Sequence, residues 1–142
     1  MATFMDKISL KTRGEGDIRD ITQQVQKITT KSGLKNGLVC IFNPGSTGAV
    51  TTLEYEPGLL IDLPVALDRL APKDVTYQHE LRWHDGNGHS HVRASIIGPS
   101  LMVPLENGHL LLGTWQQIVF LEFDVIHRRR DLIVQILSLI HI

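Results

Sequence analysis

Cysteine is nearly absent: Cys40 is the one thiol in 142 residues, so no internal disulfide staples the fold and an ordinary buried core must hold it. It lies in the apolar run LVCIF and reads as a small buried hydrophobe. Aromatic residues are scarce at 6%, and no window reaches the ~18 consecutive apolar residues of a membrane-crossing helix. The opening MATFMDKISLK also lacks the apolar core of an export signal. These absences predict a cytoplasmic protein with no membrane partner. Net charge is missing too: the formal value of −1 leaves no field to attract a polyanion, which argues against nucleic acid. What is present, 42% hydrophobic and 20% charged residues, suits one globular domain spanning residues 1–142.

Hydrophobic spacing divides the chain. FMDKISLKT, residues 4–12, approaches strand alternation, and RGEGD supplies the turn. In DIRDITQQVQKITTKSG, Ile18, Ile21, Val25 and Ile28 step by three and four along one helical face, with Gly33 as the stop. LVCIFN has the near-continuous apolar character of a strand buried on both sides, NPGSTG breaks it, and AVTTLEYE resumes with β-branched residues. DLPVALDRLAP predicts a second, short helix with Asp62 as N-cap and Pro64 in its first turn. After residue 75, VTYQHELRW, HVRASIIG, SLMVPL, HLLLGTW, QIVFLEFD and DLIVQILSLI all read as strands between Gly, Pro and Asn-Gly signals. Helices early and strands late predict an α+β domain with two helices and mostly antiparallel sheets. The C-terminal LIVQILSLIHI is too apolar for an exposed edge strand, which would pair with another chain; an oligomer follows.

The chemistry-bearing residues cluster. His79, His84, His89 and His91 fall within thirteen positions. His89 and His91 are two apart, so on extended backbone both imidazoles share a face, as two ligands of one ion would. Neutral imidazoles suit zinc, with His79 or a carboxylate as a third ligand. The competing reading is a solvated hairpin, HDGNGHSH, whose histidines bind nothing. Glu54 and Glu56 have the same spacing and would serve a hard cation or proton transfer, unless they are alternating solvent-facing charges. NPGSTG offers Ser46 and Thr47 and a flexible backbone to a phosphate, but no P-loop lysine. HRRR, residues 127–130, is either an anion clamp or a solvated turn between Asp124 and Asp131. In GTWQQ, Trp115 would stack on a heteroaromatic ring beside Thr114 and Gln116, though buried packing accounts for a lone Trp equally well. No Gly-x-Ser-x-Gly elbow and no nucleophilic cysteine constellation is present, so covalent hydrolysis has little support.

Glu54 in TTLEYE, Asp62, Tyr77-Gln78-His79, Asn87 followed four later by His91, and GPSLMVPLENGHLLLGTWQQIVFLEFD with its basic cluster occur in an order that resembles the YjbQ-like family, described as secondary thiamine-phosphate synthases. The resemblance covers nearly the whole chain. It implies a compact α+β domain forming a homotrimer with sheets packed around the threefold axis, and a metal- or anion-binding pocket onto which Glu54, His79, Asn87 and His91 map. The implied reaction joins an aminomethyl-pyrimidine diphosphate to a thiazole phosphate with loss of pyrophosphate. That chemistry asks for charge stabilisation more than for a nucleophile. It assigns a divalent zinc or magnesium ion to His79, His91 and His89, catalytic roles to Glu54, Asn87 and Thr114, and a small phosphorylated molecule to Ser46, Thr47, Trp115 and Gln116. The alternatives are a metal- or ligand-binding trimer without turnover, or a metal-dependent hydrolase with Glu54 as base. Two departures stand out: Gly45-Ser46-Thr47 where relatives carry His-Thr-Thr, and Ile126-His127 where an arginine and a proline are expected. Either His89 replaces the lost imidazole or this branch takes a different substrate.

Overall fold

The computed structural model describes residues 1–139 as two antiparallel sheets and a helical layer. Strand β1 (Ala2–Lys11) leads through a glycine turn to β2 (Ile18–Asp20) and helix α1 (Thr22–Ser32). Then come β3 (Gly37–Phe42), β4 (Gly48–Leu53), α2 (Leu59–Leu70), α3 (Gln78–Trp83) and α4 (Gly88–Ile97). Strands β5 (Ser100–Glu106), β6 (His109–Leu110), β7 (Gln117–Glu122) and β8 (Arg129–Ser138) complete the described chain. The first sheet has the order β1-β8-β3-β5-β6, the second β2-β7-β4. None of the helices described is long and apolar enough to cross a membrane.

Alternation sets the layers. Ile8 and Leu10 of β1, Leu132, Val134 and Ile136 of β8, Val39 and Ile41 of β3, and Val103 and Leu105 of β5 all face inward. They meet Val25 and Ile28 of α1 and, from the second sheet, Val50, Ile118 and Phe120. The other face of that second sheet, Ala49, Val119 and Leu121, packs on Leu67 of α2 and Ala94 of α4. β7 is therefore buried on both faces, which explains its unbroken apolar sequence. Full burial of each Ile, Leu or Phe here contributes roughly 1.5–3 kcal/mol.

The α+β class and antiparallel pairing agree with the sequence reading, but four helices are described rather than two. VTYQHELRW, expected as a strand, contains α3, and HVRASIIG, likewise expected as a strand, forms the later part of α4. The buried face of α4 is His89, Ser90, Arg93 and Ala94, a helical spacing, whereas its apolar Val92 and Ile96 point outward. Reading apolar residues alone therefore misses the helical period. Ile18 belongs to β2, not α1, which starts at Thr22. Helix α2 starts three residues before the expected Asp62, because the Glu56 carboxylate accepts the Gly58 and Leu59 N–H groups at 2.9 and 2.6 Å. Pro64 consequently lies within the helix.

The apolar C-terminal strand is not an edge: β8 lies between β1 and β3, and its composition follows from that central place. Residues 140–142 of LIVQILSLIHI lie outside the described residues. The edge is β1. Its Thr12 end donates N–H to Arg128 O at 2.7 Å, so the even-numbered amides face β8 and the odd-numbered ones face outward. There Lys7 N–H is taken by Asp6 Oδ1 at 2.8 Å, while Asp6 Oδ2 meets Lys31 of α1 at 3.2 Å. On the outer face of this sheet Met5, Leu38, Phe42 and Met102 are exposed.

Candidate metal centre and the polar network beneath it

Helices α3 and α4 are joined by a tight turn in which His84 and Gly86 take positive φ values of 52° and 75°. The turn is pinned by carboxylates. Glu80 accepts the Gly86 and Gly88 N–H groups, both at 2.7 Å, and Asp85 Oδ1 accepts the Asn87 N–H at 2.9 Å. Gly88 is required for the approach, since a Cβ there would lie 2.5 Å from Tyr77 Cβ. His79 of α3 and His91 of α4 thereby face each other, ring centroids 4.6 Å apart and planes tilted by 55°.

Beside them stands Asp85, whose Oδ1 lies 2.9 Å from His79 Nε2. One donor atom each from His79, Asp85 and His91 fall within 4.8 Å of one another. The Asn87 N–H is the main influence holding the Asp85 carboxyl below the ordinary aspartate range; partial desolvation opposes it, and His79 and His91 reinforce it. His91 Nδ1 donates to Ser46 O at 3.1 Å, a bond that a carbonyl can only accept. This fixes the tautomer and leaves the His91 Nε2 lone pair free for an ion. Two imidazoles and a carboxylate, partly open to solvent, are a donor set suited to zinc or a similar transition ion with room for a further ligand. A cleft of about 170 Å³ adjoins His91 and is bounded by Gly45, Ser46 and Ser95.

A buried polar network supports this turn. Asn87 Nδ2 donates to Asp124 Oδ1 at 3.3 Å, and Asn87 Oδ1 accepts Ser90 Oγ–H at 2.9 Å and Val125 N–H at 3.0 Å. Thr47 donates to Asp124 Oδ2 at 3.0 Å and accepts from Arg130 Nη2 at 2.8 Å. Arg130 forks onto Glu122, which also accepts the Thr12 hydroxyl at 2.7 Å and the Asp124 N–H at 3.1 Å. Burial pushes the Asp124 carboxyl upward, but the Ile126 N–H, Arg128, Thr47 and Asn87 outweigh it and hold it below the ordinary range. A Cβ at Gly45 would lie 2.8 Å from Arg130 Nη1, so this guanidinium occupies space that a side chain at 45 would need.

The sequence-derived site residues separate into groups. His79 and His91 meet; Ser46 contributes its carbonyl to that cluster, and Thr47 and Asn87 lie in the network below. His89 points elsewhere: α4 is helical, so residues two apart diverge by about 200° rather than sharing a face. Its ring is buried against Glu15. Glu54, Thr114, Trp115 and Gln116 lie at the other end of the β4–β7 ladder, in which Leu53 pairs with Gln117 and Gly48 with Glu122. At about 3.3 Å per residue that ladder separates them from Ser46 by roughly 20 Å within one protomer. Gln116 accepts the Gly113 N–H at 2.8 Å, closing its own loop. Glu56 caps α2. In HRRR, Arg128 and Arg130 are engaged by Asp124 and Glu122. Sequence reasoning missed Asp85; its signal was the Asp-Gly-Asn turn, where an Asp carboxylate folds back onto backbone amides.

The family model for UPF0047 protein YjbQ-like matches residues 6–139. A UPF0047 protein of Archaeoglobus fulgidus is 39% identical over 127 residues, covering 89% of this chain and 97% of its own. UPF0047 protein YugU of Bacillus subtilis is 35% identical, covering 85% of this chain and 90% of its own. Among solved structures, a YbjQ-like protein of Sulfolobus solfataricus superposes with a TM-score of 0.90 at 33% identity, covering 96% of this chain and 98% of that one.

Proposed function

The chain belongs to the YjbQ-like UPF0047 family, and from that membership and the geometry of the turn we propose that His79, Asp85 and His91 hold a divalent metal serving a reaction on a small phosphorylated molecule in the cytoplasm. The reaction is of the thiamine-phosphate synthase type. The observation that carries the metal is the convergence of three donor atoms within 4.8 Å. A bound divalent ion supplies electrostatic stabilisation to a diphosphate leaving group. The chain's own residues do the rest. Ser46 O orients His91, Asp85 orients His79, and the Asn87–Asp124–Thr47 network holds the turn rigid. Ser46 and the cleft beside His91 receive the phosphorylated group.

Supporting a homotrimer is the largely apolar outer face of the first sheet, where Met5, Gln135, half-buried Cys40 and Met102 fall on one cross-strand row. A trimer also gives Glu54, Thr114 and Trp115 a role, because only from a neighbouring copy would they complete the His79 end. Mixing inactive His91→Ala and Trp115→Ala protein would then restore activity.

The deciding experiment incubates purified protein with the pyrimidine diphosphate and the thiazole phosphate, with Zn²⁺, with Mg²⁺ and with EDTA. Metal-dependent formation of thiamine phosphate, lost in His91→Ala, is the expected result. A metal-binding trimer without turnover is the second reading, favoured by the two imidazoles, which suit zinc better than magnesium. It prevails if one metal per chain is bound, His91→Ala loses it, and neither precursor is consumed. No stoichiometric metal under any condition sinks both. Hydrolysis with Glu54 as base ranks below them, since it depends wholly on a neighbouring copy bringing Glu54 to the metal, whereas the metal itself needs only His79, Asp85 and His91 of one protomer.

A further inference from the structure

A second cavity lies across α4 from the His79–His91 pair. It has a volume of about 250 Å³, between the second sheet and α2. An apolar cavity of about 150 Å³ already holds benzene, so a ring or a branched aliphatic chain fits. Its interior is apolar: Leu121 and Phe123 from β7 and its extension form the floor, and Leu63 and Leu67 of α2 form the wall.

Its charged lining carries both signs. Glu15, Asp68 and Glu122 are the acids, Lys73 and Arg93 the bases, and the Glu122 carboxylate is already matched by its forked pair with Arg130. The Arg93 guanidinium is fixed by Ala71 O at 3.0 Å and Asp68 at 2.7 Å. Glu15 is held on one oxygen by the buried His89 ring and on the other by Lys73 at 3.1 Å. Lys73 is largely exposed, so its pair with Glu15 is weak and opens at little cost. A ligand head of one charge would meet as much repulsion here as attraction. A head that carries both signs would not.

We propose that this cavity binds an apolar α-amino acid, its side chain on Leu67, Leu121 and Phe123, its carboxylate on Lys73 and its ammonium on Glu15 and Asp68. The site is separate from the metal reading, because α4 presents Arg93 to this cavity and His91 to the other.

The test titrates L-phenylalanine and L-leucine into the full chain in EDTA, following amide shifts by NMR. Saturable binding with shifts centred on α2 is expected. Phenethylamine, which lacks the carboxylate, and 3-phenylpropionate, which lacks the ammonium, should each bind about tenfold more weakly, the equivalent of about 1.4 kcal/mol. Leu67→Phe, which fills the cavity, should abolish binding. Lys73→Gln is an exposed change that leaves the fold intact, and it should weaken phenylalanine but not phenethylamine, whose ammonium gains a freed Glu15. His79→Ala should leave phenylalanine binding in EDTA unchanged. No saturation, equal binding of the singly charged analogues, indifference to Lys73→Gln, or loss in His79→Ala would each overturn the assignment.

Discussion

Removing the Arg130 guanidinium tests whether the polar network carries the site. Glu122 is fully buried and Arg130 is 8% exposed; the two are joined by a forked pair, with Thr12, Thr47 and the Asp124 N–H completing their bonds. Arg130→Met keeps the stem volume but leaves the Glu122 carboxylate without its counter-charge. Breaking one side of such a buried pair costs about 3–5 kcal/mol. For 142 residues the unfolding entropy is about 0.3 kcal/mol/K, so the melting temperature should drop by about 10–17 °C at fixed protein concentration. The double variant Arg130→Met with Glu122→Gln removes both charges, and its amide oxygen can still accept the Asp124 N–H or the Thr12 hydroxyl. It should recover at least about 1 kcal/mol relative to Arg130→Met alone. Calorimetry on the four proteins of this cycle measures the difference. If the double variant melts no higher than Arg130→Met, the cost does not arise from a stranded buried charge and the reasoning fails.

Gly88→Ala should force Tyr77 and the start of α3 away from α4, separating His79 from His91; a zinc titration should show affinity reduced by about 10- to 100-fold, the scale of lost support around a metal ligand. Acid should destabilise the fold through Asp124, whose native carboxyl is depressed. Its contribution is fully present above the ordinary value of 3.8 and is lost as pH falls from there through the lowered native value, so Asp124→Asn should flatten the dependence of melting temperature on pH in that window. Glu56→Ala removes the carboxylate that accepts the first amides of α2 and should cost about 1 kcal/mol, or about 3 °C, with the metal site unaffected.

β1 was legible because its signal is apolar alternation with one face inward, whereas β3, read as buried on both sides, buries only Val39 and Ile41 and leaves Leu38 and Phe42 exposed. Helix α1 showed the same kind of signal at Val25 and Ile28. Helix α4 did not, since His89, Ser90 and Arg93 satisfy their polar groups inside the protein and reverse the usual relation between burial and hydropathy. That one error moved His89 onto the wrong face. Its partner Glu15 lies 74 residues away, beyond any local pattern. The pairing of His79 with His91 followed from motif order, whereas Asp85 required the turn geometry. The central place of β8 was hidden for another reason: an apolar run looks alike whether a neighbouring chain or its own neighbours cover it.

The Asp6 carboxylate has a consequence for how copies of this chain associate. By occupying the outward Lys7 amide and binding Lys31, it places a negative charge and a saturated donor in the middle of the ten-residue β1 rim of the first sheet. Ribbon-like, open-ended stacking along that rim is thereby disfavoured. The greasy broadside of Met5, Leu38, Phe42 and Met102 can still be covered, and surfaces of that kind close into small rings rather than fibres when rotation brings them back on themselves.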